Sequence, residues 1–198
     1  MTGFSPGTSP PPVRMPIRRV LAISRHANRE VEEAATRASM IPAMNYELFM
    51  GEALAEARLA LDHGERPIAA VAVVNDAMVA RAHDRVRESN DPTAHAVVVA
   101  LRESARKLGS TDLSDATIFA TLEPCAMCVG ALLESDVAAL VYAVPNEVDG
   151  AAGSVVQLAQ HAGLPRRIKV VSGIRRDEAE ELFGAAPEAR TVAPQPAR

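Results

Sequence analysis

From residue 45 to residue 183 the chain alternates strand-length apolar runs with helix-length segments, and this alternation points to a three-layer α/β/α sandwich. A helix is expected over 45–63, where Tyr46, Phe49, Met50, Ala53, Ala57 and Leu61 recur at helical spacing and Gly64 supplies a stop. Residues 68–74 are a continuous apolar run, and Asn75-Asp76 turns the chain into a second strand over 78–82. Asp91-Pro92 reads as the N-cap and first position of a helix that continues through Leu108 and stops at Gly109. Three more strands are expected over 116–121, 138–143 and 168–171. Helices are expected from Glu123-Pro124 to Ser135, over 154–161 and over 177–183.

The length of 198 residues suits one globular domain with extensions. Residues 1–43 read as a disordered or leader-like extension: a Pro-, Gly- and Ser-rich start is followed by Arg14, Arg18, Arg19, Arg25 and Arg29. The domain is placed at 44–184, and the Ala- and Pro-rich residues 185–198 form a flexible tail. Aromatics make up only 3% of the chain and Trp is absent, so the core must be built from Ala, Val, Leu and Ile. The net charge of −4 lowers the case for a dedicated nucleic-acid binder. No apolar run approaches the roughly 20 residues of a membrane span, so no membrane partner is expected. The only two cysteines lie three residues apart, a poor arrangement for a disulfide and a good one for a metal; a reducing cytoplasm is the simplest setting.

Those cysteines sit in Pro124-Cys125-Ala126-Met127-Cys128, at the start of a helix. Residues i and i+3 share a helix face, and a helix N-terminus favours the thiolates that zinc binds. His95, in the Asp91-Pro92 helix, is the third ligand. Two thiolates and one imidazole, with the fourth position left for water, make a catalytic type of zinc site, and zinc acidifies such a water to a nucleophile near neutral pH. A lone Cys-x-x-Cys or a lone His carries little weight; together, in this order and setting, they form the zinc deaminase pattern.

Asp91-Pro92-Thr93-Ala94-His95-Ala96 and Thr121-Leu122-Glu123-Pro124-Cys125-Ala126-Met127-Cys128 resemble the two motifs of the cytidine/deoxycytidylate deaminase superfamily, in the form found in bacterial tRNA adenosine deaminases. Gly150-Ala151-Ala152-Gly153-Ser154 is similar to a loop of the same group. The resemblance spans residues 45–183. It implies a cytidine-deaminase-like five-stranded mixed sheet, one Zn2+ per subunit, a homodimer, and hydrolytic removal of an exocyclic amine from a nucleobase, a nucleoside or tRNA adenosine.

The sequence departs from the family at three places. Val97 stands where the family has a proton-shuttling Glu, which is not a zinc ligand but moves protons between water, ring nitrogen and leaving amine. Valine cannot do this, and general acid–base help is typically worth about 10²–10⁴ in rate. Glu103 lies too far along the helix to replace it, and Glu123 is also present in active relatives. Asp84 stands where the resemblance places a substrate-binding Asn; ionised Asp only accepts hydrogen bonds, so it suits a donor-bearing substrate edge, or is an exposed loop acid. Finally, Leu182-Phe183 runs directly into Gly184-Ala185-Ala186-Pro187, where the bacterial enzymes continue a helix.

Valine and aspartate at these two positions resemble the non-catalytic subunit of the eukaryotic two-subunit tRNA adenosine deaminase, which supports an active partner. Three functions follow as expectations. The first is a zinc-binding pseudoenzyme, as a homodimer or with a heterologous active deaminase subunit. The second is an active deaminase of a small aminated heterocycle such as guanine, cytosine or adenosine, with an altered mechanism. The third is an RNA-binding module that uses Arg166, Arg167, Lys169, Arg175 and Arg176 on a deaminase scaffold.

Overall fold

The computed structural model of the chain describes residues 44–185. The expectations for residues 1–43 and for 186–198 lie outside the described residues. Helix α1 (Tyr46–Asp62) begins at Asn45, whose side chain accepts the Leu48 N–H at 3.0 Å. It ends at His63, and Gly64 follows at φ +73°, a left-handed conformation that glycine adopts without strain. The chain continues through β1 (Ala69–Val74), β2 (Ala77–His83), a one-turn helix α2 (Val86–Ser89), α3 (Ala96–Leu108), β3 (Ala116–Leu122) and α4 (Ala126–Glu134). It closes with β4 (Ala139–Val144), β5 (Lys169–Ser172) and α5 (Arg176–Gly184).

The five strands form one mixed sheet in the order β2-β1-β3-β4-β5. Strand β1 is antiparallel to both β2 and β3, whereas β3, β4 and β5 run parallel. Strands β2 and β3 therefore point the same way and end at the same edge of the sheet. The period-2 alternation of strand side chains divides the core into two layers. Ala69, Val71, Val73, Phe119 and Val141 pack with α1 and α5. Ala70, Ala72, Ile118, Ala120 and Leu140 pack with α3 and α4 on the other face. The observed fold is thus the α/β/α sandwich with its five-stranded mixed sheet. The small β1 residues admit close helix packing, and the phenylalanines and Tyr46 of the described residues gather on one face, where Phe119 lies 5.5 Å from Phe49 and 5.8 Å from Tyr46 between ring centroids, with Tyr142 on the other.

Two expected helices are corrected. Asp91 does not open a helix: its Oδ1 accepts from the Thr93 N–H at 2.8 Å and the Thr93 hydroxyl at 2.7 Å, a local Asx turn. Helix α3 starts only at Ala96, with His95 as its N-cap in an extended conformation. Residues 154–161 are not helical either. The amides of Val155 and Val156 bond to the Gly150 carbonyl, and that of Leu158 to the Ala151 carbonyl. A backbone that satisfies its donors on an earlier loop has none left for i→i−4 bonds.

Phe119 is fully buried at the centre of the aromatic face. Phe119→Ala is expected to lower the free energy of unfolding by about 3–5 kcal/mol, measured by urea denaturation.

Candidate functional site

The shared end of β2 and β3 places two helix starts side by side. His95 is the N-cap of α3, Cys125 the N-cap of α4, and Cys128 lies in the first turn of α4. The His95 Nδ1 lies 3.7 Å from the Cys125 Sγ and 3.6 Å from the Cys128 Sγ. A tetrahedral zinc with ordinary Zn–N and Zn–S bonds needs about 3.6 Å between such atoms, so the three donors fit the ion. Cys128 is buried, while His95 and Cys125 are half-buried at the floor of a cleft.

The electrostatics favour a thiolate at Cys125, while the bond to Cys125 and burial push the Cys128 thiol up. The hydrogen bond from Cys128, joined by one from His95, brings the Cys125 pKa down to about 4 against the opposing effect of burial. Its bond to Cys125 raises that of His95. The free N–H groups at the starts of both helices act in the same direction on the sulfur charge.

Val97 lies in the first turn of α3, 4% exposed, and lines the same cleft as His95, Cys125 and Cys128. Asp84 lines it too, and is not an exposed loop acid: it is 1% exposed at the exit of β2. Its Oδ1 accepts the Ala96 N–H at 2.8 Å, and its Oδ2 accepts from the Arg66 guanidinium at 3.0 Å. Burial raises the pKa of Asp84, opposed by Arg66 and by the Ala96 N–H. The Asp84–Arg66 pair is an addition to the expected site. No motif marks Arg66, which stands 18 residues earlier in the chain, beyond any local pairing pattern.

Glu103 and Glu123 are not available as proton carriers, whereas Asp149, which also lines the cleft, accepts from the Asn146 side chain. Glu103 faces Arg85, at 3.9 Å. Glu123, 1% exposed, is committed to the loop after β4. Its carboxylate accepts from the amides of Asn146, Ala152 and Ser154, and from the Ser154 hydroxyl. Gly150 lets that loop close, since a Cβ there would fall 2.4 Å from the Asn146 carbonyl oxygen and 2.6 Å from the Glu123 Oε2.

The basic cluster is largely neutralised. Arg166 pairs with Glu134 and Asp136, Arg175 with Glu178, and Arg176 with Glu180. Arg167 donates to the Ala162 carbonyl.

A family model described as the cytidine and deoxycytidylate deaminase zinc-binding region matches residues 44–144. Over 139 residues the chain is 37% identical to a tRNA-specific adenosine deaminase of Bacillus subtilis, covering 70% of this chain and 86% of that protein. It is 46% identical over 112 residues to the chloroplastic tRNA(adenine(34)) deaminase of Arabidopsis thaliana, covering 57% of this chain but 9% of that much longer protein. It is 41% identical over 174 residues to a tRNA(Ile)-lysidine synthase of Deinococcus radiodurans, covering 80% of this chain and 30% of that protein. Among solved structures, one from work on A-to-I editing by tRNA deaminases at the wobble position of transfer RNA superposes with a TM-score of 0.66 at 36% identity, covering 68% of this chain and 97% of that one. The guanine deaminase of Nitrosomonas europaea superposes with a TM-score of 0.61 at 27% identity, covering 72% and 85% respectively.

Removing the Glu123 acceptor strands several buried donors at once. Glu123→Ala is expected to cost roughly 3 kcal/mol or more in stability. Amide exchange should accelerate at Ala152 and Ser154 while the sheet around Phe119 stays protected, which hydrogen-exchange mass spectrometry or NMR resolves.

Proposed function

The chain belongs to the cytidine and deoxycytidylate deaminase zinc-binding family, and on that premise we propose that it is a zinc-binding pseudoenzyme of that family. One zinc ion per subunit would be held by His95, Cys125 and Cys128, and bound there it would supply the Lewis acidity that makes water nucleophilic near neutral pH.

The observation that carries the proposal is Val97 in the cleft beside the three ligands. Its isopropyl side chain neither takes a proton from water nor delivers one to a ring nitrogen. Asp84 does not take over this task, because both of its oxygens are engaged, one by a main-chain N–H and one by Arg66. Its place in the cleft instead suits it to contact the edge of a base. The cleft is of the class that takes an aminated nucleobase, either free or within tRNA.

A supporting role needs a partner, and we assign the chain to a homodimer or to a pair with an active deaminase subunit. Met127 at the start of α4 is 38% exposed, and Val148, Val155 and Val156 of the following loop are 50–53% exposed. The Cys125–Gly150 bridge ties that loop to the start of α4. Exposed large apolar side chains near one site favour burial against a second subunit. A reducing compartment such as the cytoplasm suits two free thiols. Among the described residues no helix is long and apolar enough to cross a membrane.

The test measures zinc content and ammonia release for the chain as it stands and for Val97→Glu, with tRNA adenosine, adenosine, guanine and cytosine as substrates. Expected are about one tightly held zinc per chain, no measurable turnover as it stands, and a gain of at least about 10² in Val97→Glu. His95→Ala is expected to lose that zinc. Robust turnover by the unmodified chain overturns the proposal and supports an altered mechanism on a small heterocycle. Sedimentation analysis is expected to give a dimer.

A further inference from the structure

The last residue of β2 presents a second cluster of ligating groups on the face of the sheet opposite the cleft. His83 is 4% exposed and points toward α1, whereas Asp84, the next residue, points toward the start of α3. The His83 Nδ1 lies 2.7 Å from the Oε1 of Glu56, a buried carboxylate on α1. Glu56 can only accept in its ionised form, so it fixes the ring proton on Nδ1 and leaves the Nε2 lone pair bare. That Nε2 lies 3.1 Å from the Nδ1 of His63, the residue that ends α1. The Glu88 carboxylate completes a triangle: the ligating atoms of His63, His83 and Glu88 all lie within 4.8 Å of one another.

The scaffold around this triangle is ordered by bonds that do not use the ligating atoms. Glu65, buried just beyond α1, accepts the main-chain N–H groups of Arg87 and Glu88 at 2.7 and 2.8 Å. The Arg87 guanidinium donates to the Gly64 carbonyl at 2.9 Å. These bonds hold α2 against the end of α1 and keep Glu88 opposite His63. Glu88 itself has only a distant contact with Arg85, at 4.0 Å. A bond between two imidazoles accounts for the His63–His83 approach, and Glu56, which also pairs with Arg81 at 3.5 Å, fits that bond too, but it leaves the nearby Glu88 carboxylate without a role.

We propose that His63, His83 and Glu88 form a second metal site, for one divalent transition-metal ion of the zinc class, with Glu56 as the positioning residue. Two imidazole nitrogens on one tetrahedral zinc lie about 3.3 Å apart, close to the 3.1 Å found here. Two imidazoles and a carboxylate suit zinc, cobalt or nickel, and a carboxylate behind a ligating histidine is the usual way such a ring is held. The ion clamps the end of α1, the edge strand β2 and α2 together, directly behind Asp84. It would stabilise the folded chain by an amount that grows with the logarithm of the free metal concentration above the dissociation constant.

The experiment titrates the reduced, metal-stripped full-length chain with cobalt(II) and follows its absorption. Two equivalents are expected. The one at His95, Cys125 and Cys128 carries sulfur-to-metal charge-transfer bands, and the one at His63, His83 and Glu88 carries only ligand-field bands. His63→Ala and Glu88→Ala, both at exposed positions, are expected to abolish the second equivalent and keep the charge-transfer bands. Glu56→Gln is expected to weaken the second equivalent about 10–100-fold. In parallel, the ring-nitrogen NMR signals of His63 and His83 should move only with the second equivalent. A single equivalent with charge-transfer bands overturns this proposal and leaves the thiolate site standing. A second equivalent that survives His63→Ala with Glu88→Ala overturns it as well. Loss of the charge-transfer bands alone would count against the thiolate site and not against this one.

Discussion

Two helices that begin at one edge of one sheet set the terms for everything around the cleft. Because β1 runs antiparallel to both of its neighbours, β2 and β3 end at one edge, and α3, which follows β2 after the one-turn α2, and α4, which follows β3, both begin there on the same face. Two helix starts so placed bring unpaired N–H groups together in a half-buried space, where they need negative partners. The structure supplies them from side chains. The Asp84 carboxylate takes the first N–H of α3, and the sulfur atoms of Cys125 and Cys128 lie at the start of α4. The ligand cluster and the acidic residue beside it thus answer the same electrostatic demand.

That demand also explains how Val97 and Arg66 fit together. With zinc on the three ligands, the charges of two thiolates offset that of the metal, and Arg66 offsets Asp84. A carboxylate at position 97 would join Asp149 as an acid in the cleft without a cationic partner among the described residues, useful only if it cycles a proton. The family resemblance places a neutral Asn at position 84 and an acid at 97. Here the acid is at 84, joined to a guanidinium, and position 97 is apolar.

Much of this was legible in the sequence, for reasons that also mark where legibility stops. The strands of the sheet centre are apolar runs, broken only by two threonines in β3, and the Cys pair with its Pro and preceding strand is a local pattern, so both could be read. The start of α3 was misplaced because Asp91-Pro92 has the composition of a cap. Whether an Asp caps a helix or closes an Asx turn depends on which donor lies nearer, and the Thr93 amide and hydroxyl won. The expected helix at 154–161 failed because its donors are taken by Gly150 and Ala151, a tertiary competition that no propensity records. Arg66–Asp84 and the Glu123 carboxylate join segments 18 to 31 residues apart, so their roles appear only once the sheet has brought them together.

The ligands and the proton carrier answer to different physical requirements, and this bears on how a chain can keep one and lack the other. His95, Cys125 and Cys128 join α3 to α4, and a metal ion there contributes folding free energy whether or not a reaction follows. Loss of any ligand would leave the others in a half-buried space with weak, long sulfur–nitrogen contacts. Position 97 has no such structural duty. An acid there would have to be desolvated in a wall where Val97 now packs into the same apolar cluster as Ala96, Val98 and Leu101. Valine there adds to the core and offers no proton transfer, the direction expected where activity and stability compete for one buried site. A role that needs the shape of the cleft and its metal, but not turnover, is compatible with every residue placed around it.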